Sequence, residues 1–353
     1  MKYRLGEICD VVSGGTPSRA TAEFWDGGTI PWIKIGNIQR KYVDEADEYI
    51  TQAGLEGSSA KMLSAGTILF TIFATLGEVG ILTIEACTNQ AIAGITIKNQ
   101  SDILTDYLYY FLKSQKSCIA ALGRGVAQNN INLSILRNFE VPIPDLPMQK
   151  QIVAILDKTA KVVEVRQQQL QQLDELVKAR FVELFGDGNH PHIALIDLII
   201  EGAGLSYGIV QPGDDGTGDM GVLRPVDMVD GKISTASIKY IDRSIGDGFK
   251  KTELYGDELL ITVRGTTGIT ALTDIRFNGM NVTRGIAVVR YDRNKINPVY
   301  LNAYLNTDES QRYIQEHTRG ATLQQINLSD LRVQQIMVPP LALQEQMAAF
   351  IEQ

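Results

Sequence analysis

The sequence predicts a mixed α/β (α+β) chain. Two tandem homologous domains are separated by a long coiled-coil-type helix, and a second such helix starts at the C-terminus. The first observation behind this is a repeated block. Ile131-Asn132-Leu133-Ser134-Ile135-Leu136-Arg137, Val141-Pro142-Ile143-Pro144, Gln149 and Gln151 return 195 residues later as Ile326-Asn327-Leu328-Ser329-Asp330-Leu331-Arg332, Ile336-Met337-Val338-Pro339, Gln344 and Gln346. The second is that Ile33-Lys34-Ile35-Gly36-Asn37-Ile38 is answered at an offset of 190 by Leu223-Arg224-Pro225-Val226-Asp227-Met228. A period this long marks a whole globular unit, since solenoid repeats recur every 20 to 50 residues. The third is a stretch between the two copies, from Met148 to about Phe185, with neither proline nor glycine.

The first domain, 1–147, opens on an apolar pattern at Leu5, Ile8, Val11 and Val12 that runs into Gly14-Gly15. The second, 187–342, opens on Leu195, Leu198, Ile199 and Ile200 and runs into Gly202-Ala203-Gly204. Strand-forming runs follow, Thr67 to Phe73 and Leu259 to Val263, bounded by Gly, Asn and Asp turns. Gly66-Thr67-Ile68-Leu69 and Asn89-Gln90-Ala91-Ile92 find echoes in Gly256-Asp257-Glu258-Leu259 and Thr283-Arg284-Gly285-Ile286. A helical pattern comes next in each half, Tyr107 to Leu112 and Tyr300 to Leu305.

The central helix, 148–186, has Asp145 and Pro147 as start signals and Gly186-Asp187-Gly188 as a stop. Leu156, Val163, Leu170, Val177 and Leu184 fall seven apart, while the other seam row reads Ile152, Thr159, Arg166, Leu173, Arg180. One row is apolar and the other mixed, which is a coiled-coil strip that needs a partner. At ~1.5 Å per residue the helix is roughly 55 Å long, the length of a spacer. The repeat predicts a second helix after Pro339-Pro340, and 343–353 begins it before the sequence ends at Gln353. Those three turns do not match the first helix, so another chain, or a second copy of this one, is expected on the seam.

At 353 residues and 44% hydrophobic content the chain can bury two ordinary cores. Cys9, Cys87 and Cys118 have no CxxC spacing, so no zinc knuckle or disulfide framework is readable and a reduced cytosolic setting fits best. The start lacks the apolar segment of a secretion signal, and the longest uncharged run, Met62 to Gly77, is broken by polar residues and reads as buried strand. A net charge of −8 argues against indiscriminate coating of nucleic acid, which basic side chains drive. Local basic loops stay compatible with it.

Catalytic motifs are absent from the sequence. Neither an Asn-Pro-Pro-aromatic methyltransferase motif nor a phosphate-binding P-loop occurs. Phe185-Gly186-Asp187-Gly188 follows a helix and reads as its stop, and Pro144-Asp145 with Gln149-Lys150 lacks the second carboxylate of a nuclease motif. His190, His192 and His317 are not spaced as metal ligands, and the acidic run Asp214 to Asp219 lacks the bidentate glutamate of a calcium loop.

Two variable α/β domains, each closed by I-N-L-S-x-L, a proline-rich strand and Gln-x-Gln and followed by a helix, resemble the specificity subunit of type I restriction-modification systems. Ser13-Gly14-Gly15-Thr16-Pro17-Ser18 and Trp25-Asp26-Gly27-Gly28-Thr29-Ile30-Pro31-Trp32-Ile33 add to the likeness, which spans nearly the whole chain. The second half lacks both tryptophans and the Thr-Pro-Ser loop. The resemblance implies two target-recognition domains, each reading half of a split double-stranded DNA site, and helices that space the half-sites and dock partners. The implied partners are methyltransferase subunits and a restriction helicase-nuclease subunit, which would bring S-adenosylmethionine, ATP and magnesium. This chain would itself be non-catalytic, without a cofactor, cytoplasmic and away from membranes. Because the two halves differ in their loops, the target should be asymmetric. The alternatives are the recognition part of a fused methyltransferase-nuclease and a tandem protein-interaction scaffold.

Candidate DNA contacts are polar side chains on glycine-rich loops, where backbone can approach phosphate and side chains can reach base edges. Arg124, Gln128, Asn129 and Asn130 stand before the first signature, and Arg319, Thr322, Gln324 and Gln325 stand before the second. A second group comprises Ser13, Thr16, Ser18, Arg19, Lys34, Asn37 and Arg40, with Arg224 matching Lys34, and a third comprises Arg264 and Arg284. The competing reading makes the arginines ordinary surface partners of carboxylates, and makes Lys34 and Asn37 turn and strand-end residues. Ile152, Leu156, Val163, Leu170, Leu173, Val177 and Leu184 are the candidate docking residues on the helix.

Overall fold

A computed structural model describes the chain except for Cys118, residues 120–130, Asp187, Pro212, residues 214–217, Asp230 and residues 321–322. Two compact units divide it, Met1–Gln167 and Gln168–Gln353. The division falls within the long helix.

The first unit holds strands β1 (Lys2–Arg4), β2 (Cys9–Ser13), β3 (Ile30–Ile33), β4 (Tyr42–Val43), β5 (Glu48–Ile50), β6 (Ile68–Thr71), β7 (Val79–Leu82), β8 (Cys87–Thr88), β9 (Ile92–Ile97) and β10 (Glu140–Pro142). Helices α1 (Leu5–Ile8), α2 (Gln52–Glu56), α3 (Thr105–Ser114) and α4 (Leu133–Arg137) lie among them, and α5 (Leu146–Phe185) follows. The main sheet has the order β2-β9-β6-β7-β4, a smaller one β5-β3-β8, and β1 pairs with β10. Strand β6 is buried along its whole length because sheet neighbours flank it and core lies on both faces, which is why its sequence is continuous Ile-Leu-Phe-Thr without polar alternation.

The second unit repeats this plan with β11 (His192–Ala194), β12 (Ser206–Tyr207), β13 (Met220–Leu223), β14 (Met228–Val229), β15 (Lys232–Ile233), β16 (Lys239–Ile241), β17 (Leu259–Thr262), β18 (Thr270–Leu272), β19 (Asn281–Val282), β20 (Ile286–Val289) and β21 (Gln335–Met337). Its helices are α6 (Arg243–Gly246), α7 (Pro298–Leu305), α8 (Asp308–His317), α9 (Leu328–Val333) and α10 (Leu341–Ile351). The sheets β12-β20-β17-β18 and β16-β13-β19 correspond to those of the first unit, down to the parallel pairs Trp32↔Cys87 and Val222↔Asn281.

Strand pairing shows where the copies slip. Cys9 faces Ile97, as Ile199 faces Tyr291, but Val12 faces Gly94 where Ser206 faces Val288. The four added residues include Gly202 and Gly204, both at positive φ. Gly202-Ala203-Gly204 is therefore an insertion, and the sequence match of it to Gly14-Gly15 is corrected. The residue in Gly14's place is Gly208. Both need glycine for the same reason, since a Cβ would lie 2.2 Å from Thr88 Oγ1 on Gly14 and 1.9 Å from the Val282 carbonyl on Gly208.

The signature residues close each unit. Ile131 N donates to Ile72 O at 3.0 Å, and Ile326 N to Val263 O at 3.0 Å. The first glutamine of Gln-x-Gln is fully buried in both copies. Gln149 accepts from Leu104 N at 2.9 Å and donates to Asp102 O and Pro144 O; Gln344 accepts from Asn297 N at 2.8 Å and donates to Pro339 O at 2.7 Å. Tyr107 and Tyr300 hydroxyls reach the carbonyls of Pro142 and Met337. Asn132 caps α4 by accepting from Ile135 N at 2.9 Å.

Helix α5 starts on Asp145, whose Oδ1 accepts from Met148 N at 2.9 Å, and runs 40 residues, ~60 Å. Its first turns bind the first unit through Gln149 and Asp157, the latter meeting Lys41 at 2.6 Å and the Tyr110 hydroxyl at 2.5 Å. The apolar row expected to form one seam divides. Leu156, Val163, Leu170 and Leu173 are exposed and Ile152 is half-buried, whereas Val177 and Leu184, with Phe181, pack on the core of the second unit. That end of the row is covered within the chain, which corrects the expectation that all of it awaits a partner.

Removing the buried amide orphans the Asn297 N–H and the Pro339 carbonyl, so Gln344→Ala should destabilise the protein by about 2–3 kcal/mol. Gln346, the exposed second glutamine, should tolerate alanine with little change. Chemical denaturation of the two variants checks the contrast.

Candidate nucleic-acid interface

In the second unit the chain leaves β17 through Val263 and turns at Arg264-Gly265-Thr266-Thr267-Gly268. The loop before the signature folds onto this turn. Arg319 N donates to Gln325 O and Gln325 N to Arg319 O, both at 2.8 Å, and Gly265 N donates to Gln324 O at 2.9 Å. Gly320, at φ +103°, makes the tight return, where a Cβ would lie 2.3 Å from the Leu323 carbonyl. The hydroxyls of Thr267 and Thr318 meet at 3.0 Å. Arg284 joins the group because a Cβ on its neighbour Gly285 would sit 3.5 Å from the Arg264 carbonyl.

The structure thus brings Arg264, Arg284, Arg319, Gln324 and Gln325 together through backbone bonds, leaving their side chains available. Arg284, Arg319 and Gln324 are exposed, Arg264 and Gln325 half-buried. Among the described residues, none of these three guanidinium groups forms an ion pair. Thr322 lies outside the described residues, as do Arg124, Gln128, Asn129 and Asn130 of the matching loop.

The first unit builds the same turn from Phe73-Ala74-Thr75-Leu76-Gly77. Its ends are tied identically, with Gly77 N bonded to Thr71 O as Gly268 N is to Thr262 O. Ala74 occupies the place of Gly265 at φ +57°, a left-handed conformation unfavourable for a residue with a Cβ. Phe73, 40% exposed, occupies the place of Arg264. Sequence reasoning missed Phe73 because no pattern marks an exposed aromatic at the end of an apolar strand. Aligning the two turns on Thr71 and Thr262 would have found it.

The second candidate group has internal work instead. Arg19 stacks over Trp25, 3.7 Å from the ring centroid, and pairs with Glu48 at 2.5 Å. Lys34 pairs with the same carboxylate at 2.6 Å, and its backbone N donates to Asn37 Oδ1 at 2.8 Å. Arg224 repeats the role of Lys34, its N bonding Asp227 Oδ2 at 2.8 Å and its guanidinium gripping the fully buried Asp227 carboxylate. Ser13 faces Ala93 where β2 pairs with β9, Thr16 donates to Gln90, and the backbone carbonyl of Ser18 accepts from the Trp25 indole at 3.0 Å. Arg40 lines a small cleft of about 200 Å³ with Asp44, Glu45 and Asp47, surroundings that repel phosphate. The reading of Lys34, Asn37 and Arg224 as turn and strand-end residues is the one their contacts favour.

No group of His, Cys, Asp or Glu among the described residues is arranged to hold a metal, and no described helix is long and apolar enough to cross a membrane. Burial pushes the Cys9 thiol up to about 12 and the Cys87 thiol up to about 11, which leaves both protonated and unreactive at neutral pH.

Hydrogen bonds from Arg19 and then Lys34 hold the Glu48 carboxyl below its ordinary 4.5. A depressed carboxyl contributes stability above its unfolded value and loses it as pH falls through the folded one. Glu48→Gln should therefore flatten the stability profile below about pH 4.5, as urea denaturation from pH 6 to 3 would show.

Comparison with known proteins places these features. Residues 1–175 and 219–353 match the family model described as type I restriction modification DNA specificity domain. The chain is 33% identical over 160 residues to the Escherichia coli EcoR124I/EcoR124II specificity subunit, covering 44% of this chain and 39% of the relative. It is 28% identical over 189 residues to the Methanocaldococcus jannaschii MjaIX specificity subunit, covering 52% and 43%. Against the Escherichia coli EcoBI specificity subunit it is 22% identical over 296 residues, covering 76% and 62%. The matched part is thus under two thirds of each relative's length. The crystal structure of a type I restriction-modification S subunit from M. genitalium shares the fold, with a TM-score of 0.56, 16% identity and coverage of 100% of this chain and 88% of that one.

Proposed function

We propose, from the premise that this chain belongs to the type I restriction-modification DNA specificity family, that it is a non-catalytic subunit which reads an asymmetric, two-part duplex DNA target. The observation that carries this reading is one frame built twice with different groups on the same turn. The backbone ties at Ile131 and Ile326 are alike, yet among the described residues the turn they hold presents Phe73 in one unit and Arg264 in the other. Arginine and glutamine suit guanine and adenine edges, whereas an aromatic face suits apolar or stacking contact. Unlike readers on like frames fit a target whose halves differ.

Methyltransferase subunits, and in a restricting complex a helicase-nuclease subunit, would supply catalysis together with S-adenosylmethionine, ATP and magnesium. The helix between the units is the spacer in this reading, and its exposed Leu156, Val163, Leu170 and Leu173 are the docking face for methyltransferase helices. Assembly on chromosomal DNA places the protein in the cytoplasm. Methylome sequencing of cells expressing this chain with a methyltransferase partner should reveal a two-part asymmetric methylated motif. No such motif, or methyl transfer by the purified chain alone, would overturn the reading.

Within that experiment Arg319→Ala should relax preference in one half of the motif and leave the other intact, at a cost of about 1–3 kcal/mol in binding the correct site. Equal weakening for all sequences would instead assign Arg319 to phosphate. Burying each exposed leucine at an interface is worth about 1.5–3 kcal/mol. Leu170→Asp with Leu173→Asp should accordingly abolish assembly with the methyltransferase, seen by light scattering, while circular dichroism of the free chain stays unchanged.

A further inference from the structure

The second unit carries a cleft of about 760 Å³ that none of the candidate contacts above explains. Its polar lining includes Ser206 and Tyr207 on β12, Lys250 and Lys251 beside them, and Asn327 and Ser329 of the signature. None of these six side chains makes a hydrogen bond or ion pair within the described structure, although polar neighbours elsewhere in the unit are densely paired. Asn327 is telling, because its counterpart Asn132 caps its helix and Asn327 does not.

The backbone under the lysines is fixed. The single proton of Thr252 Oγ1 lies between Asn281 Oδ1 at 2.8 Å and Phe249 O at 3.0 Å, Asn281 Nδ2 reaches Phe249 O at 3.2 Å, and Arg290 Nη1 donates to Lys251 O at 2.9 Å. Arg332 adds a third cation, tied to Leu205 O at 2.9 Å, and Asp247 is the one carboxylate of the described lining. A rigid wall with free donors and an excess of positive charge, in a chain of net charge −8, is suited to an anion. The equivalent segment of the first unit is Ser59-Ala60, from the matched bonds Leu63 N to Ala86 O and Leu254 N to Met280 O. It has no cation.

We propose that this cleft binds a backbone phosphate of the DNA, so that the second unit holds the duplex by a sequence-independent contact. The inference rests on the DNA-reading function and adds to it a positioning contact distinct from the base-reading turn. The signature residues Asn327 and Ser329 then serve both closure of the unit and the grip on the backbone.

The test is a salt titration of duplex binding by the full chain in complex with its methyltransferase partner. Each phosphate contact contributes about 0.9 to the slope of log affinity against log salt. Lys250→Ala with Lys251→Ala should lower that slope by about 0.9 and weaken matched and scrambled second half-sites equally. Lys250→Arg with Lys251→Arg should keep the wild-type slope. An unchanged slope in the alanine variant overturns the proposal, as does a loss confined to the matched half-site. Calorimetry with inorganic phosphate distinguishes the other source of this chemistry: phosphate binding by the wild type, lost in the alanine variant while the DNA slope stays constant, would make this a free-phosphate site and sink the DNA contact. Absence of duplex binding by the wild type would instead refute the DNA-reading function.

Discussion

Each unit depends on one buried carboxamide. Gln149 and Gln344 begin a helix, yet their side chains bond backward to a proline carbonyl and sideways to the first amide of another helix. A carboxamide offers one acceptor and two donors at fixed angles, so it can satisfy a helix-start N–H and a carbonyl at once, where an ionised carboxylate could not. Buried backbone groups left unpaired cost about 1–3 kcal/mol each, so removing either carboxamide is costly. From this junction follow the pairing of β1 with β10 and of β11 with β21, the tyrosine bonds to the closing strand, and the direction in which α5 leaves the first unit and α10 the second.

The frame is held by backbone and amide bonds and by apolar contact, and its polar side chains fall into two classes. Arg19, Lys34 and Arg224 hold carboxylates that shape the smaller sheets. Arg264, Arg284 and Arg319 sit on backbone-tethered turns with their guanidinium groups unpaired in the described structure. Residue type does not separate the classes. What separates them is a carboxylate within reach, brought in by β5 for Arg19 and Lys34 and supplied three residues along by Asp227 for Arg224.

That distinction sets the limit of what the sequence conveys. The duplication, the buried character of β6 and β17, helices α3 and α7, and the long central helix were all legible, because each rests on local periodicity or on punctuation by Gly and Pro. The pairing of Glu48 with both Arg19 and Lys34 was not, since it arises where β5 lies against β3. Nor was the four-residue insertion at Gly202, which places two glycines where a matching turn was expected and disguises Gly208. The heptad row was readable as apolar, but spacing alone does not say what covers it, and Val177 and Leu184 turn out to lie on the second unit's own core.

A frame fastened in this way tolerates divergence at its exposed turns. The ties that position residues 73–77 and 264–268 run through main-chain atoms and the buried Thr71 and Thr262, so an exposed phenylalanine or an arginine can occupy the same place without disturbing them. The cost falls on conformation alone, as at Ala74, where the left-handed turn persists without its glycine. The same holds where Ser59-Ala60 in one unit becomes Lys250-Lys251 in the other, above a wall fixed by Thr252 and Asn281. Duplicated domains can therefore acquire different surface chemistry while keeping one core, which is the physical condition for two halves of a chain to recognise two different sequences.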